Sequence, residues 1–288
     1  SNPPPGGAPP ALRGGPGVAA SGARPPHQES TALIQRDFDG TIVWQFDRGE
    51  QIETPQGMIW SARQHHDWQR DDFPAGYYSP EYTPSTAART TLILAHAERM
   101  QPNVADVMLG DDRLIEVNAT GDVVWEWLAG DHIDEFGFAP DARAVIKAAA
   151  AFNKARGSFD WLHVNSATYV GPNQWYDKGD TRFAPDNVII SSREASIVAI
   201  VGRDGAIVWR MGPDFSASPQ LRAIRQIIGQ HHPHLIPKGL PGAGNLLVFD
   251  NGGSSGYGFA SPIAPAGRGA FQRATSRGLE INPVTLQL

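Results

Sequence analysis

Cysteine is absent from this chain of 288 residues. Its absence excludes disulfides, thiolate nucleophiles, zinc–thiolate centres and iron–sulfur clusters, and leaves the redox compartment open. No run of about 18 apolar residues occurs, so no transmembrane helix and no membrane insertion are expected. Basic residues are in the minority: 24 Lys and Arg against 30 Asp and Glu give a net charge of −6. That balance argues against nucleic acid or an anionic membrane as a general partner. With 41% apolar and 19% charged residues the chain is globular, and its length suits one or two domains with a sizeable core. What it does contain is 31 Gly, 24 Pro and 8 Trp, which favours a turn-rich β protein over a helical bundle.

Residues 1–30 hold 8 Pro and 6 Gly and almost no large apolar side chain. Such a stretch cannot offset its ordering entropy by burial, so it reads as a linker or loop, with the folded part at 31–288. The chain starts at Ser1 without a signal-like segment and stops inside the strand-like run 279–288. Further sequence is therefore expected at both ends.

An internal repeat sets the expected architecture. Residues 34–44, 115–125 and 198–209 each read as a strand, a polar turn with Gly, and a second strand ending in Trp44, Trp125 or Trp209. The third copy reads as one residue longer, and 279–288 as a fourth cut short. The Trp residues lie 81 and 84 residues apart. Asp39-Gly40, Thr120-Gly121 and Asp204-Gly205 suit tight hairpins that need positive φ. Short apolar runs at 91–95, 187–191 and 245–249 precede these hairpins or follow in series with them, as strands buried on both faces would. A His-bearing segment lies upstream of each run. One repeat is thus four strands, and serial four-stranded antiparallel units predict an all-β fold, a β-propeller of which this chain holds part. Half a blade is expected at 32–47, full blades near 65–128 and 162–211, and helical inserts near 141–156 and 219–228. The Trp residues after the Gly turns read as blade packing.

Six of the nine His fall in the three segments Gln64-His65-His66-Asp67, Trp161-Leu162-His163-Val164-Asn165 and Gln230-His231-His232-Pro233-His234. In a propeller the first strand of each blade lines the central channel, so His66, His163 and His231 should converge from equivalent positions. Arg193, at the end of an apolar strand, can face the same funnel, where its planar fork suits a tetrahedral oxyanion. The structural alternative for Arg193 is a salt bridge to Glu194. Asp67, Asn165 and Asn251 can orient imidazoles or hydrogen-bond a substrate, although for each alone a structural role is the simpler reading. The Gly-rich 252–256 stretch reads as a loop, and no Ser sits in a nucleophile elbow.

These segments resemble a known family. Gln64-His65-His66-Asp67-Trp68, Asp160-Trp161-Leu162-His163-Val164-Asn165-Ser166, Ile189-Ile190-Ser191-Ser192-Arg193, Gln230-His231 and Asn245 to Gly252 look like the bacterial arylsulfate sulfotransferases, in the family's order. The resemblance implies a six-bladed propeller that moves a sulfuryl group from an aryl sulfate to a phenol. It implies a two-step exchange through a sulfated histidine, with no nucleotide sulfate donor and no cofactor. The nucleophile would be His231, assisted by His163, Arg193 and one of His65 or His66, with Asn165 and Asn251 as substrate contacts. Family members are typically exported, often to the periplasm. The chain departs from some members in lacking their Cys pair, and in a polar insert at 172–185.

Two other readings stay open from the residues alone. Three or four imidazoles on a propeller axis also suit an iron or zinc centre, with Asp67 behind the ligands. A non-catalytic propeller binding a partner through one face is the third. Oligomeric state, a homo-oligomer included, is left open by the sequence.

Overall fold

The computed structural model describes residues 30–54, 57–70, 90–153, 158–253 and 273–288. The expected linker therefore lies, up to residue 29, outside the described residues. So do 254–256 of the Gly-rich loop and 154–156 of the first helical insert.

Fifteen strands occur among the described residues, all in antiparallel sheets. β1 (Leu33–Arg36) and β2 (Ile42–Phe46) form one hairpin, and β3 (Glu50–Thr54) and β4 (Gly57–Ser61) another. A four-stranded sheet follows in chain order: β5 (Gln64–Arg70), β6 (Thr90–Gln101), β7 (Ala105–Asn118) and β8 (Val123–Leu128). A second is β9 (Val164–Tyr169), β10 (Val188–Ser192), β11 (Ile197–Val201) and β12 (Ile207–Met211). A three-stranded sheet closes the series with β13 (His231–Leu235), β14 (Leu246–Asp250) and β15 (Arg277–Ile281). The sheets thus begin and end close to the positions expected from the repeat. The β3–β4 hairpin was not expected, nor was the long β6–β7 ladder reaching from Thr90↔Asn118 to Gln101↔Ala105.

The repeat is explained by one turn. Asn118 N donates to Asp122 O and Gly121 N to Asn118 O. Gly202 and Gly205 repeat this pair of bonds, as do Asp37 and Gly40. Gly40, Gly121 and Gly205 adopt φ of 90°, 82° and 92°, a region that an L side chain adopts only with strain. A register shift accompanies each turn, the mark of a G1-type bulge. The three turns have the same length, so the extra residue expected in the third copy is not in its hairpin. The last copy differs: Leu286, at φ 56°, takes the left-handed position in a longer turn closed by Asn282 N to Gln287 O.

The repeated Trp residues bind neighbouring sheets together. Trp125 Nε1 donates to Arg203 O at 3.1 Å and Trp209 Nε1 to Pro283 O at 2.9 Å. Each Trp therefore reaches the turn of the following repeat, 78 and 74 residues ahead. Trp127 does the same to Gly205 O at 2.9 Å. Arg203 also lies over the Trp125 ring, 4.5 Å from its centroid. The core fills the space between sheets, with Leu94, Leu114, Trp127, Phe136, Trp161, Leu162, Val188 and Ile190 buried in its largest cluster.

Two helices lead toward first strands, as expected, though one is shorter. α1 (Pro140–Asn153) buries Ala142, Ile146 and Ala150, one helical face at i, i+4, i+8. α2 (Gln174–Asp177) is a single turn in the polar insert, capped by Asn173. α3 (Pro219–Ile224) starts at its Ser218 cap, with Ser218 Oγ accepting from Leu221 N. It does not run to residue 228. Arg225 turns to φ 64° and ends it. The insert packs on the next sheet through Trp175 Nε1 to Gly244 O at 2.6 Å and Lys238 Nζ to Asp177 Oδ2 at 2.7 Å.

Replacing Trp209 by Phe keeps most of the ring and leaves the Pro283 carbonyl without its donor. Urea unfolding of Trp209→Phe should show a loss of about 1 kcal/mol. Trp209→Ala should lose about 3–5 kcal/mol through the cavity it leaves. Equal stability of Trp209→Phe and wild type would remove the inter-sheet bond as a stabilising feature.

Candidate active site

β5, β9 and β13, the first strands of the three larger sheets, lie side by side although they belong to different ladders. Polar side chains join them, Asp67 and Gln69 half-buried and Asn165 buried. Asp67 Oδ2 accepts from Ala167 N at 3.0 Å, and Gln69 Oε1 from Tyr169 N at 2.8 Å and Thr168 Oγ1 at 2.9 Å. Asn165 Nδ2 donates to Gln230 O at 2.8 Å. Each first strand breaks register at its His segment: between Gln64 and Trp68, beside Val164, and between His231 and His234. His66, His163 and His232 adopt φ of 53°, 49° and 47°. Such bulges and left-handed residues re-aim side chains and recur beside active sites. By backbone conformation the third member of the set is thus His232, and His231 sits one residue before it.

His231, His163, His66 and Arg193 nevertheless share one site. The His66 and His163 rings meet edge to face at 4.9 Å. Arg193 N donates to His163 O at 3.1 Å, and the Arg193 guanidinium pairs with Glu194. The salt bridge weighed as the alternative for Arg193 therefore exists, on a half-buried side chain that still bears on the His set. Arg193 and His163 both depress the His231 pKa.

The three imidazoles are not shifted alike: His163 is raised and the other two are lowered. His231 falls below the ordinary value of 6.5, mainly through burial; the Gly229 carbonyl and the Asn251 side chain act in the other direction. Its Nδ1 lies 2.9 Å from Gly229 O. A carbonyl only accepts, so Nδ1 carries the proton and Nε2 the lone pair. His163 is opposed by burial, but the Asp160 carboxylate outweighs it and raises the ring above 6.5. His163 Nδ1 is 2.6 Å from Asp160 Oδ2, and its backbone N donates to Asp160 Oδ1 at 3.0 Å. His66 is pushed down to about 4 by burial and by His163. It is neutral at pH 7.

Burial distinguishes His65 from His66. His66 is exposed, whereas His65 is 3% exposed and stacks on His96 with centroids 3.8 Å apart. Asn165 is buried and holds the Gln230 carbonyl, which places it behind the site as a positioning residue. Asp67 likewise serves the Trp68 and Ala167 amides rather than an imidazole. Asn251 stands beside His231.

Sequence reasoning missed four groups. Gln230 is fully buried, and its Nε2 donates to Ser192 O at 2.7 Å and Ile197 O at 3.0 Å, which clamps the residue before His231. Asp160 stands three residues before His163 inside a motif that was already marked. His96 directly follows the apolar run 91–95, as Arg193 follows Ser191-Ser192. Asp112 belongs to an acidic pair in the middle of an apolar strand, an exception to burial patterning that is itself a signal.

The family model for Arylsulfotransferase (ASST) matches residues 68–279, well over half of the chain. This chain belongs to the arylsulfotransferase family. No curated protein matches it significantly. Among solved structures it is similar to a crystal structure of a protein of unknown function from Bacteroides caccae, with 10% identity and a TM-score of 0.31. That alignment covers 77% of this chain and 47% of the other, so this chain spans about half the length of that protein. The family model takes its name from aryl sulfotransfer.

Exchanging the carboxylate behind His163 tests the electrostatics directly. In Asp160→Asn the His163 pKa should fall, since the group that holds it up is gone, and a proton NMR titration of the ring would read the change. An unchanged or higher pKa would remove Asp160 as the cause.

Proposed function

We propose that this protein transfers a sulfuryl group from an aryl sulfate to a phenol through a sulfated His231. The observation that carries this reading is the Nδ1 contact of His231 with Gly229 O, which leaves Nε2 as a neutral nucleophile. In the first half-reaction the Nε2 lone pair forms an N–S bond while the S–O bond to the aryl group breaks. His163, charged through its Asp160 partner, gives its Nε2 proton to the departing phenolate oxygen. Arg193 stabilises the charge on the sulfuryl oxygens, as cationic clamps do in phosphoryl transfer. In the second half-reaction His163 takes the proton of the incoming phenol, its oxygen bonds to sulfur, and the N–S bond breaks. His66, neutral and exposed beside His163, contacts the substrate without carrying charge.

The serial four-stranded sheets and the adjacency of their first strands support placing this site at the axis of a six-bladed propeller. The family resemblance supports export to the periplasm or the cell exterior. Among the described residues no helix is long and apolar enough to cross a membrane.

With a chromogenic aryl sulfate and a phenol acceptor, His231→Ala should lose at least about 10³-fold in kcat/KM. His163→Ala should lose about 10²–10⁴-fold, and Arg193→Lys about 10²-fold, since a point charge replaces a planar fork. Wild-type enzyme given donor alone should gain the mass of one SO3 on His231. Near-normal turnover in His231→Ala would remove it as nucleophile.

The pH profile follows from the two shifts. Below the His231 pKa the nucleophile is protonated, and above the His163 pKa the acid is lost. The acid limb of kcat/KM for the donor should therefore lie below 6.5 and the alkaline limb above it. A plateau that extends unbroken to high pH would remove His163 as the acid.

A further inference from the structure

Behind the imidazoles that face substrate lies a second, buried set. His65, His96 and Asp112 are 3%, 2% and 1% exposed. Their ligating atoms all lie within 4.8 Å of one another. His65 Nε2 is 3.6 Å from Asp112 Oδ1, and His96 Nε2 is 4.0 Å from the same oxygen. Those separations are too long for hydrogen bonds. His65 Nε2 and Asp112 Oδ1 are buried without a hydrogen-bond partner among the described residues. Asp112 Oδ2 is already used, accepting from Val164 N at 3.0 Å. Asp160 Oδ1 stands 4.0 Å from His96 Nε2.

We infer that His65, His96 and Asp112, with Asp160 as a fourth donor, form a site for a divalent first-row metal ion such as Zn²⁺. Two imidazoles and two carboxylates are a borderline donor set of this kind, and the chain has no thiolate to offer instead. The donor separations of 3.6 and 4.0 Å exceed, by about 0.3–0.7 Å, the edge of about 3.3 Å expected for tetrahedral ligands at about 2.0–2.1 Å, so the set must contract on binding. Charge agrees as well: two carboxylates and one divalent ion make a neutral cluster in a place where unpaired charge is costly. Burial, with the Asp160 charge beside it, pushes Asp112 well above the ordinary carboxylate range. Among the described residues no Lys or Arg pairs with Asp112. The His65 and His96 rings now lie 18° from parallel. Binding requires them to splay about χ2 so that each lone pair meets the ion.

The site would act on the chemistry in front of it. A metal on His65 Nε2 forces the remaining proton onto Nδ1. That atom is 2.8 Å from His66 Nδ1, which must then accept, leaving His66 Nε2 as a donor toward substrate. Asp160 would bridge the ion and His163. This positioning effect rests on the sulfuryl-transfer reading, whereas the metal site itself does not.

The test is metal content, read without turnover. The chain is stripped with a chelator, reloaded with Zn²⁺, desalted and analysed by plasma mass spectrometry, beside Asp112→Asn and His96→Gln. About one equivalent per wild-type chain, lost in both variants, is expected. Co²⁺ in place of Zn²⁺ should give visible d–d absorption from wild type only, which keeps the test usable if a variant folds poorly. No stoichiometric metal in wild type, or equal retention in both folded variants, would overturn the site. Undiminished activity of the metal-stripped protein ends the positioning effect on His66 and leaves the site to be judged by metal content. A metal-loaded protein with no sulfuryl transfer ends only the functional reading.

Discussion

Three strands that share no ladder hold the chemistry of this protein together. β5, β9 and β13 belong to different sheets, so backbone pairing cannot fix their relative positions. Polar side chains withdrawn from solvent wholly or in part do it instead. Asp67 and Gln69 reach from β5 to the amides of Ala167 and Tyr169, and Asn165 reaches from β9 to the Gln230 carbonyl. A buried carboxylate or carboxamide that loses its partner bears the full desolvation penalty, about 1–3 kcal/mol. The same bonds that cost most to break therefore set the spacing between His66, His163 and His231. Gln230 shows the logic most sharply, because it spends its side chain on Ser192 and Ile197 and its carbonyl on Asn165, and the next residue is His231.

Fixed strands would be of little use if their side chains pointed along the pleat. The left-handed backbone at His66, His163 and His232 departs from it, at a local cost of about 1–3 kcal/mol each. Bulges of this kind need rigid surroundings. Here those are the apolar second strands, with Leu92 to Ala95 and Val188 to Ile190 almost fully buried. Strain at the site and close packing behind it are two sides of one arrangement.

Much of this was legible before any coordinates. The hairpin with Gly four residues before Trp is written plainly in three copies, because only Gly meets the positive φ of its turn and only Trp combines a wide ring with a donor that reaches the next turn. Four-stranded units and the His clusters follow from the same period. Other features were hidden for physical reasons. His231 looks equivalent to His66 and His163 by residue type, but equivalence is decided by backbone conformation, and that picks out His232. Asn165 spends its Nδ2 on the Gln230 carbonyl, a partner that its place in the sequence does not reveal. α3 looks about one turn longer because nothing in the letters marks the left-handed turn at Arg225. Buried groups such as His96 and Asp112 gain meaning only from separations in space, which a sequence does not carry.

The charge states of the imidazoles close the argument. Three histidines crowded together would ordinarily repel protons alike and titrate as a set. A single carboxylate breaks that symmetry: Asp160 hydrogen-bonds His163 and raises it, while burial lowers His66 and His231. One ring is thereby kept ready to give a proton and another kept free of one, at the same pH and a few ångströms apart. A transfer that must first protonate a leaving oxygen and then deprotonate an incoming one needs that division of labour. On the proposed sulfuryl-transfer reading, the acid behind His163, rather than the number of histidines, is what would let a cluster of imidazoles exchange a group between two oxygens.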